Sequence, residues 1–294
     1  MYESKSSRIM LIMSMVIFGT IGIFRKYIPM PSGVLAMARG FIGAIFLLGL
    51  VKLGNGKISK RDVGRNLPVL LVSGAALGIN WILLFEAYRF TSVATATLAY
   101  YMAPVMVILL SPLLFRERIT AKKFICVLFA VAGMALVSGI FTAEGEIQLK
   151  GIAFGLAAAV FYALVMILGK SIRDISAYDK TIVQLFVAAV VLLPYVVATG
   201  EFRQVAFTPV SAAMLAVVGI VHTGIAYALY FGSMRELKSQ TIALFSYIDP
   251  ALAVVLSAVV LREKMGLAEI LGAVMVLGAT MISELPERKR NRYF

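Results

Sequence analysis

The sequence predicts an all-α polytopic membrane protein: ten transmembrane helices forming two inverted five-helix repeats, with both termini in the cytoplasm. Composition supplies the first reason. Of 294 residues, 61% are hydrophobic and 15% charged, whereas a soluble domain carries roughly 25% charged residues. The second reason is the recurrence of apolar stretches of about 18–20 residues, each able to cross a hydrocarbon core of about 30 Å. A β-barrel would need alternation along strands of about ten residues, and the runs Val105–Leu110 and Val187–Leu193 do not alternate. The third reason is a duplication. Residues Gly78–Arg118 and Gly224–Lys264 align without a gap at an offset of 146, with 13 of 41 pairs identical, and a fixed-offset repeat marks a repeated structural unit.

The identities include Gly78/Gly224, Phe85/Phe231, Arg89/Arg235, Thr95/Thr241, Tyr101/Tyr247, Pro104/Pro250, Ser111/Ser257 and Arg116-Glu117/Arg262-Glu263. Each copy runs from an apolar segment through a short polar break into a Pro-interrupted apolar segment, and stops at an Arg-Glu-basic triplet. Interruptions at matching positions of two halves point to a binding site in a membrane carrier.

Ten spans follow in order: 8–28, 33–52, 67–87, 92–113, 121–140, 150–170, 180–199, 211–232, 240–261 and 266–284. The lead Met1–Arg8 is short and polar, and with nine further spans behind it the first reads as a signal-anchor, not a cleavable signal. The connections are short and polar, as in Gly54-Asn55-Gly56-Lys57 and Thr142–Gln148, and none is long enough for a soluble domain. The expected units are residues 1–142, residues 149–284, and a basic cytoplasmic tail, 285–294.

Charge sets the orientation. With the N-terminus inside, 20 Lys/Arg fall on the cytoplasmic side and 7 on the other, while Arg39 lies within a span; basic residues collect in cytoplasmic loops. The net charge of +13 therefore calls for no nucleic acid. Five spans per half, an odd number, make the second half enter the membrane upside down. The lone Cys126 has no disulfide partner and reads as a small buried apolar residue.

These features together resemble the EamA-type branch of the drug/metabolite transporter superfamily, over nearly the whole chain. The residues that carry the resemblance are the repeated Tyr101–Pro104 and Tyr247–Pro250, the triplets Arg116-Glu117-Arg118 and Arg262-Glu263-Lys264, and glycines in the last span of each half, Gly133 and Gly278. The resemblance implies secondary transport of small metabolites, often amino-acid export, through a cavity between the repeats.

Polar side chains are costly in hydrocarbon, so each needs a partner or a wet cavity. Asp249 and His222 lie about ten residues, roughly 15 Å, into adjacent spans. They read either as a proton or substrate-ammonium site, or as an acceptor for hydrogen bonds freed at Pro250 and a neutral interhelical donor. Asp249 has Ala103 as its counterpart in the first copy, so the acid belongs to one repeat alone. Arg39 reads either as a ligand for a substrate carboxylate, or as one half of an ion pair with Glu86 or a side chain that snorkels to the interface. Asn80, Trp81, Tyr101, Tyr162, Gln184, Tyr227, Tyr230, Ser246 and Tyr247 make up the expected lining, aromatic and capable of hydrogen bonds, which suits amphipathic solutes and cations; packing against helices or lipid is the other reading for each. Gly74-x-x-x-Gly78 and Gly151-x-x-x-Gly155 are faces for close helix packing. The charged triplets read as span ends with local ion pairs, or as a gate whose partners exchange between states.

Other classes fare worse. Gly49 to Lys57 lacks the Gly-Lys-Ser/Thr ending of a phosphate loop, and no His-Glu-x-x-His, Cys pair or Gly-x-Ser-x-Gly occurs. No selectivity-filter repeat marks a channel. A membrane-embedded enzyme using His222 and Asp249 as acid and base is the rival from another class; within transport, drug-type efflux or a sugar- or nucleotide-related carrier is the alternative. The expectation is a multi-pass protein of the cell inner (plasma) membrane, not an enzyme, without cofactor or metal. Its expected partners are a small-molecule substrate and the lipid bilayer, with either protons as coupling ion or uncoupled facilitated exit, and its state monomer or homodimer.

Overall fold

A computed structural model describes residues 5–115, 119–138, 145–206, 208–234, 236–237 and 239–285. The triplet Arg116-Glu117-Arg118 and the expected tail beyond Leu285 lie outside these residues. Every regular element among them is helical. The first half holds α1 (Lys5–Gly19), α2 (Ile21–Tyr27), α3 (Ser32–Leu53), α4 (Lys60–Phe90), α5 (Val93–Tyr100), α6 (Ala103–Phe115) and α7 (Ala121–Val137). The second holds α8 (Gly145–Ser171), α9 (Ala177–Ala198), α10 (Pro209–Gly219), α11 (Ala226–Met234), α12 (Ser239–Ser246), α13 (Ile248–Val259) and α14 (Leu267–Glu284). Eight helical segments among the described residues are long and apolar enough to cross a membrane. The apolar pieces Ala121–Val137, of 17 residues, and Leu244–Val259 are shorter.

Local chemistry sets the starts. Ser59, Ser92, Thr120 and Ser176 each accept a bond from the backbone N–H three residues on, and thereby cap α4, α5, α7 and α9. Thr208 and Ser211 cap each other's backbone around Pro209 to open α10. Both Tyr-x-x-Pro motifs interrupt a helix. Tyr100 ends α5 and Ala103 begins α6; Ser246 ends α12 and Ile248 begins α13. Pro104 and Pro250 lack an N–H, and their rings crowd the carbonyl four residues back. Two further breaks need no proline: one at Gly19-Thr20, and a π-helical turn, Ile220–Ile225, between α10 and α11.

The main helix interfaces join the two halves. They pair α4 with α8 and α9, α3 with α9, α1 with α11 and α13, α5 with α8 and α13, and α7 with α14. Glycines allow the closest approaches. A methyl group at Gly74 would stand 2.7 Å from Val187 Cβ, and one at Gly155 2.7 Å from Ala99 Cβ, so both small-residue motifs are packing faces. In the α7–α14 pair the glycine that meets Gly133 is Gly272; Gly278 has no atom within 4 Å of where its Cβ would lie.

Hydrogen bonds and ion pairs gather the described connections into two sets. In one set, Lys26 pairs with Glu263 at 3.4 Å and bonds to Thr91 O, while Glu201 accepts from Val34 N. Glu263 also accepts from Val93 N at 2.9 Å and from the Ser257 hydroxyl, which in turn accepts from Ala94 N. The repeated Ser and Glu of the second copy therefore cap α5 of the first. In the other set, Ser7 donates to Glu236, Ser59 N to Asp179, Arg65 to Asp174, Asn66 to Arg173 O and Lys122 to Leu285 O.

A side chain forced into a close helix contact costs about 1–3 kcal/mol. Gly155→Val should therefore lower the unfolding temperature of the detergent-solubilised protein by several degrees, whereas Gly278→Ala should leave it unchanged; a melting series on both variants checks this.

Candidate functional site

Three apolar clusters meet around a cavity of about 180 Å³. A single water needs roughly 10–15 Å³ by this measure, so the space accommodates a small organic molecule. Met15, Phe18 and Ile21 come from the broken first segment, Arg39 from α3, and Leu77, Trp81, Leu84 and Tyr88 from one stripe of α4. Thr97, Tyr100 and Tyr101 come from the break at α5, Tyr162 from α8, Tyr227 and Tyr230 from α11, and Ser246 and Asp249 from the break at α12. Both Tyr-x-x-Pro interruptions thus open onto the same space.

Asp249 sits in the first turn of α13, two residues after the break. Its carboxylate accepts the Tyr101 hydroxyl at 2.7 Å, so an acid of the second half is held by the repeated tyrosine of the first. The Tyr101 and Tyr247 rings stand 6.4 Å apart, and Tyr100 stacks on Tyr162 at 5.0 Å. Gly19 lets the first segment approach this turn: a methyl there would lie 2.8 Å from Asp249 O.

Arg39 is 4% exposed and lines the cavity. Its guanidinium lies over Trp81, 4.1 Å from the ring centroid, with Phe85 at 5.5 Å. Nε donates to Thr223 Oγ1 at 3.1 Å, and the Thr223 hydroxyl, within the π-helical turn, donates to Val218 O at 3.0 Å. Glu86 is engaged by Arg89 at 3.0 Å instead of by Arg39. Burial likewise leaves no room for a snorkelling arginine.

The remaining sequence candidates lie off the cavity wall. Asn80 donates to Ala158 O at 2.7 Å and Gln184 to Ser73 Oγ at 2.5 Å, both joining α4 to the second half. His222 bonds through Nε2 to Thr20 Oγ1 at 2.9 Å and meets the Phe24 ring edge-on at 4.6 Å, which ties the π-helical turn to the break in the first segment. His222 and Asp249 therefore do not form an acid–base pair in the cavity. Tyr247 backs Tyr101 without lining the space. Tyr88 and Tyr100 also line it, in addition to the lining expected from the sequence. Tyr88 shares a helical stripe with Trp81, seven residues on, and its hydroxyl lies 3.3 Å from Thr97 Oγ1. No group of three or more His, Cys, Asp or Glu able to hold a metal occurs among the described residues.

The Tyr101–Asp249 bond is worth about 1 kcal/mol as an interhelical contact. Tyr101→Phe and Asp249→Asn should each destabilise the solubilised protein, and the double variant should lose less than their sum; a double-mutant cycle measured by unfolding checks it.

The EamA-like transporter family model matches the chain twice, over residues 5–139 and 149–284. The chain is 35% identical over 264 residues to the uncharacterized transporter YxxF of Bacillus subtilis, covering 87% of this chain and 82% of that protein. It is 27% identical over 263 residues to an uncharacterized transporter of Archaeoglobus fulgidus, covering 89% and 90% respectively. Protein RarD of Escherichia coli is 26% identical over 198 residues, 67% of this chain and 65% of RarD. A solved crystal structure shares the fold with a TM-score of 0.65 at 17% identity, across 96% of this chain and 98% of the other. The chain is a multi-pass membrane protein that belongs to the EamA-like transporter family.

Proposed function

We propose that the protein is a secondary transporter that moves small metabolites, amino acids or related amphipathic solutes, out of the cell across the cytoplasmic membrane by alternating access. The observation that carries this reading is the shared cavity: Tyr101 of one half bonds Asp249 of the other at the point where both copies of the motif break their helix. Breaks of this kind leave backbone groups and side chains free to meet a solute at membrane depth.

Ten spans in two inverted units, 1–142 and 149–284, are the arrangement behind it. Two observations support inversion. The connections bond in two separate sets, as ten alternating crossings require. The start of α1 reaches Glu236 in one set through Ser7, whereas the start of α8 packs at Gly151 against Thr91 in the other. The excess of Lys/Arg supports a cytoplasmic place for the set that holds Ser7 and Glu236, together with both termini. Rocking the halves about the cavity would open it to either side in turn, and the Lys26–Glu263–Val93 cluster is a gate that has to part on its own side.

Within the cavity Asp249 carries the coupling proton or faces the solute's ammonium group, while Arg39, Trp81, Tyr101, Tyr162, Tyr227, Tyr230 and Ser246 bind the solute. His222 and Gln184 stabilise the helices around it. In proteoliposomes, Asp249→Asn should abolish the pH dependence of solute flux while the protein still folds; flux that varies with pH as in the wild type removes Asp249 from the coupling. Tyr101→Ala should change which solutes are carried more than it changes expression yield, as uptake of a solute panel would show.

A further inference from the structure

Arg39 is the feature that a purely structural account leaves unexplained. A guanidinium carries five donors and stays charged in proteins. Withdrawing it from water without an acid partner is costly. Here Nε alone is bonded, to Thr223, and no acid pairs with Arg39 among the described residues. Its terminal nitrogens are not among the sealed, partnerless polar atoms, and the residue lines the cavity. Trp81 covers one face of the guanidinium plane, so the free edge remains for a ligand.

Resting on the reading of this cavity as the solute site, we propose that Arg39 is a carboxylate subsite: Nη1 and Nη2 grip one planar carboxylate of the solute in a two-pronged contact, with Thr223 as its positioning residue. The π-helical turn supplies the geometry. Within the turn the Thr223 hydroxyl spends its proton on Val218 O, which leaves a lone pair to accept Nε from α3. Gly43 permits the approach, since a methyl there would stand 2.4 Å from Thr223 Cγ2. One planar cation matches one carboxylate in charge and shape. A phosphate ester would bring a charge of about −1.5 to −2 into a space whose other ionisable lining groups are Asp249 and tyrosines. The solute is accordingly a monocarboxylate with an apolar or aromatic remainder, amino acids included, and neither a free amine nor a sugar.

The test uses the full-length purified protein and three probes that differ only in the head group: 3-phenylpropionate, 3-phenylpropionamide and 3-phenylpropylamine. Ligands that bind the native fold raise its apparent stability. The acid should raise the unfolding temperature of the wild type, and the amide and amine should not. Arg39→Gln should weaken the acid at least tenfold, and Arg39→Lys should restore it only in part. Should Arg39→Gln fail to fold, Thr223→Val still decides: it should weaken the acid several-fold, while Thr223→Ser keeps wild-type affinity. Equal binding of the amide, no binding of the acid, or acid affinity unchanged in Thr223→Val overturns the proposal. Arg39-dependent acid binding without any flux in proteoliposomes leaves the subsite standing and removes the transport reading. Flux of the amine that ignores Arg39→Gln does the reverse.

Discussion

Pro104 and Pro250 each take a backbone donor out of a helix that has to survive in an apolar medium, and the protein meets that cost by setting the two breaks back to back. In hydrocarbon, a freed carbonyl or amide finds no water, so irregular backbone persists only where protein or a wet cavity surrounds it. The breaks at Tyr101 and Tyr247 bring those two rings to 6.4 Å and let Tyr101 bond Asp249 across the halves. The break at Gly19-Thr20 and the π-helical turn at Ile220–Ile225 form a second linked pair, joined through Thr20 and His222. Four interruptions thus form two couples, of which the one at the Tyr-x-x-Pro motifs opens onto the cavity.

Polar groups divide into three kinds by what they face. Asn80 and Gln184 each spend a donor on a partner in the facing helix, and they act as fasteners between halves. Asp249 and Arg39 keep capacity in reserve, with one bond each and a cavity in front. A carboxyl and a guanidinium on the walls of an aromatic chamber can address both ends of a zwitterion, which links the proposed substrate class to the geometry. The connections carry a third kind, charged clusters such as Lys26 and Glu263 that tie three segments together outside the apolar core.

How much was legible in the sequence follows from what each signal encodes. Proline acts on its own backbone, so the helix breaks at both Tyr-x-x-Pro motifs were readable at once. Tyr101, Tyr162, Tyr227, Tyr230, Trp81, Ser246 and Asp249 all reach the cavity wall because an amphipathic side chain deep in an apolar span has few other places to go. Asn80 and Gln184 show why that rule is incomplete: a backbone carbonyl or a serine on a neighbouring helix can also take up an amide N–H. Tyr88 gives no sequence signal for a cavity position, because it lies at the end of its span, where an interfacial tyrosine is expected. The π-helical turn carries no proline to announce it, and Thr223 became meaningful only beside Arg39. Gly278 and Gly272 differ by six residues on one apolar helix, and with lipid as apolar as the core no periodicity distinguishes the packed face.

In the proposed cycle the two halves rock about a shared cavity and open it to one side at a time. Electron–electron distance measurements test it most directly, with spin labels on a Cys126→Ala background in lipid nanodiscs. One pair would sit at Lys57 and Ala177, within one set of connections, and the other at Tyr27 and Lys264, within the opposite set; all four residues are exposed. Adding a solute that stabilises the protein should change the two distance distributions in opposite senses, one narrowing as the other widens. Both distributions staying fixed, or both moving in the same sense, would contradict it.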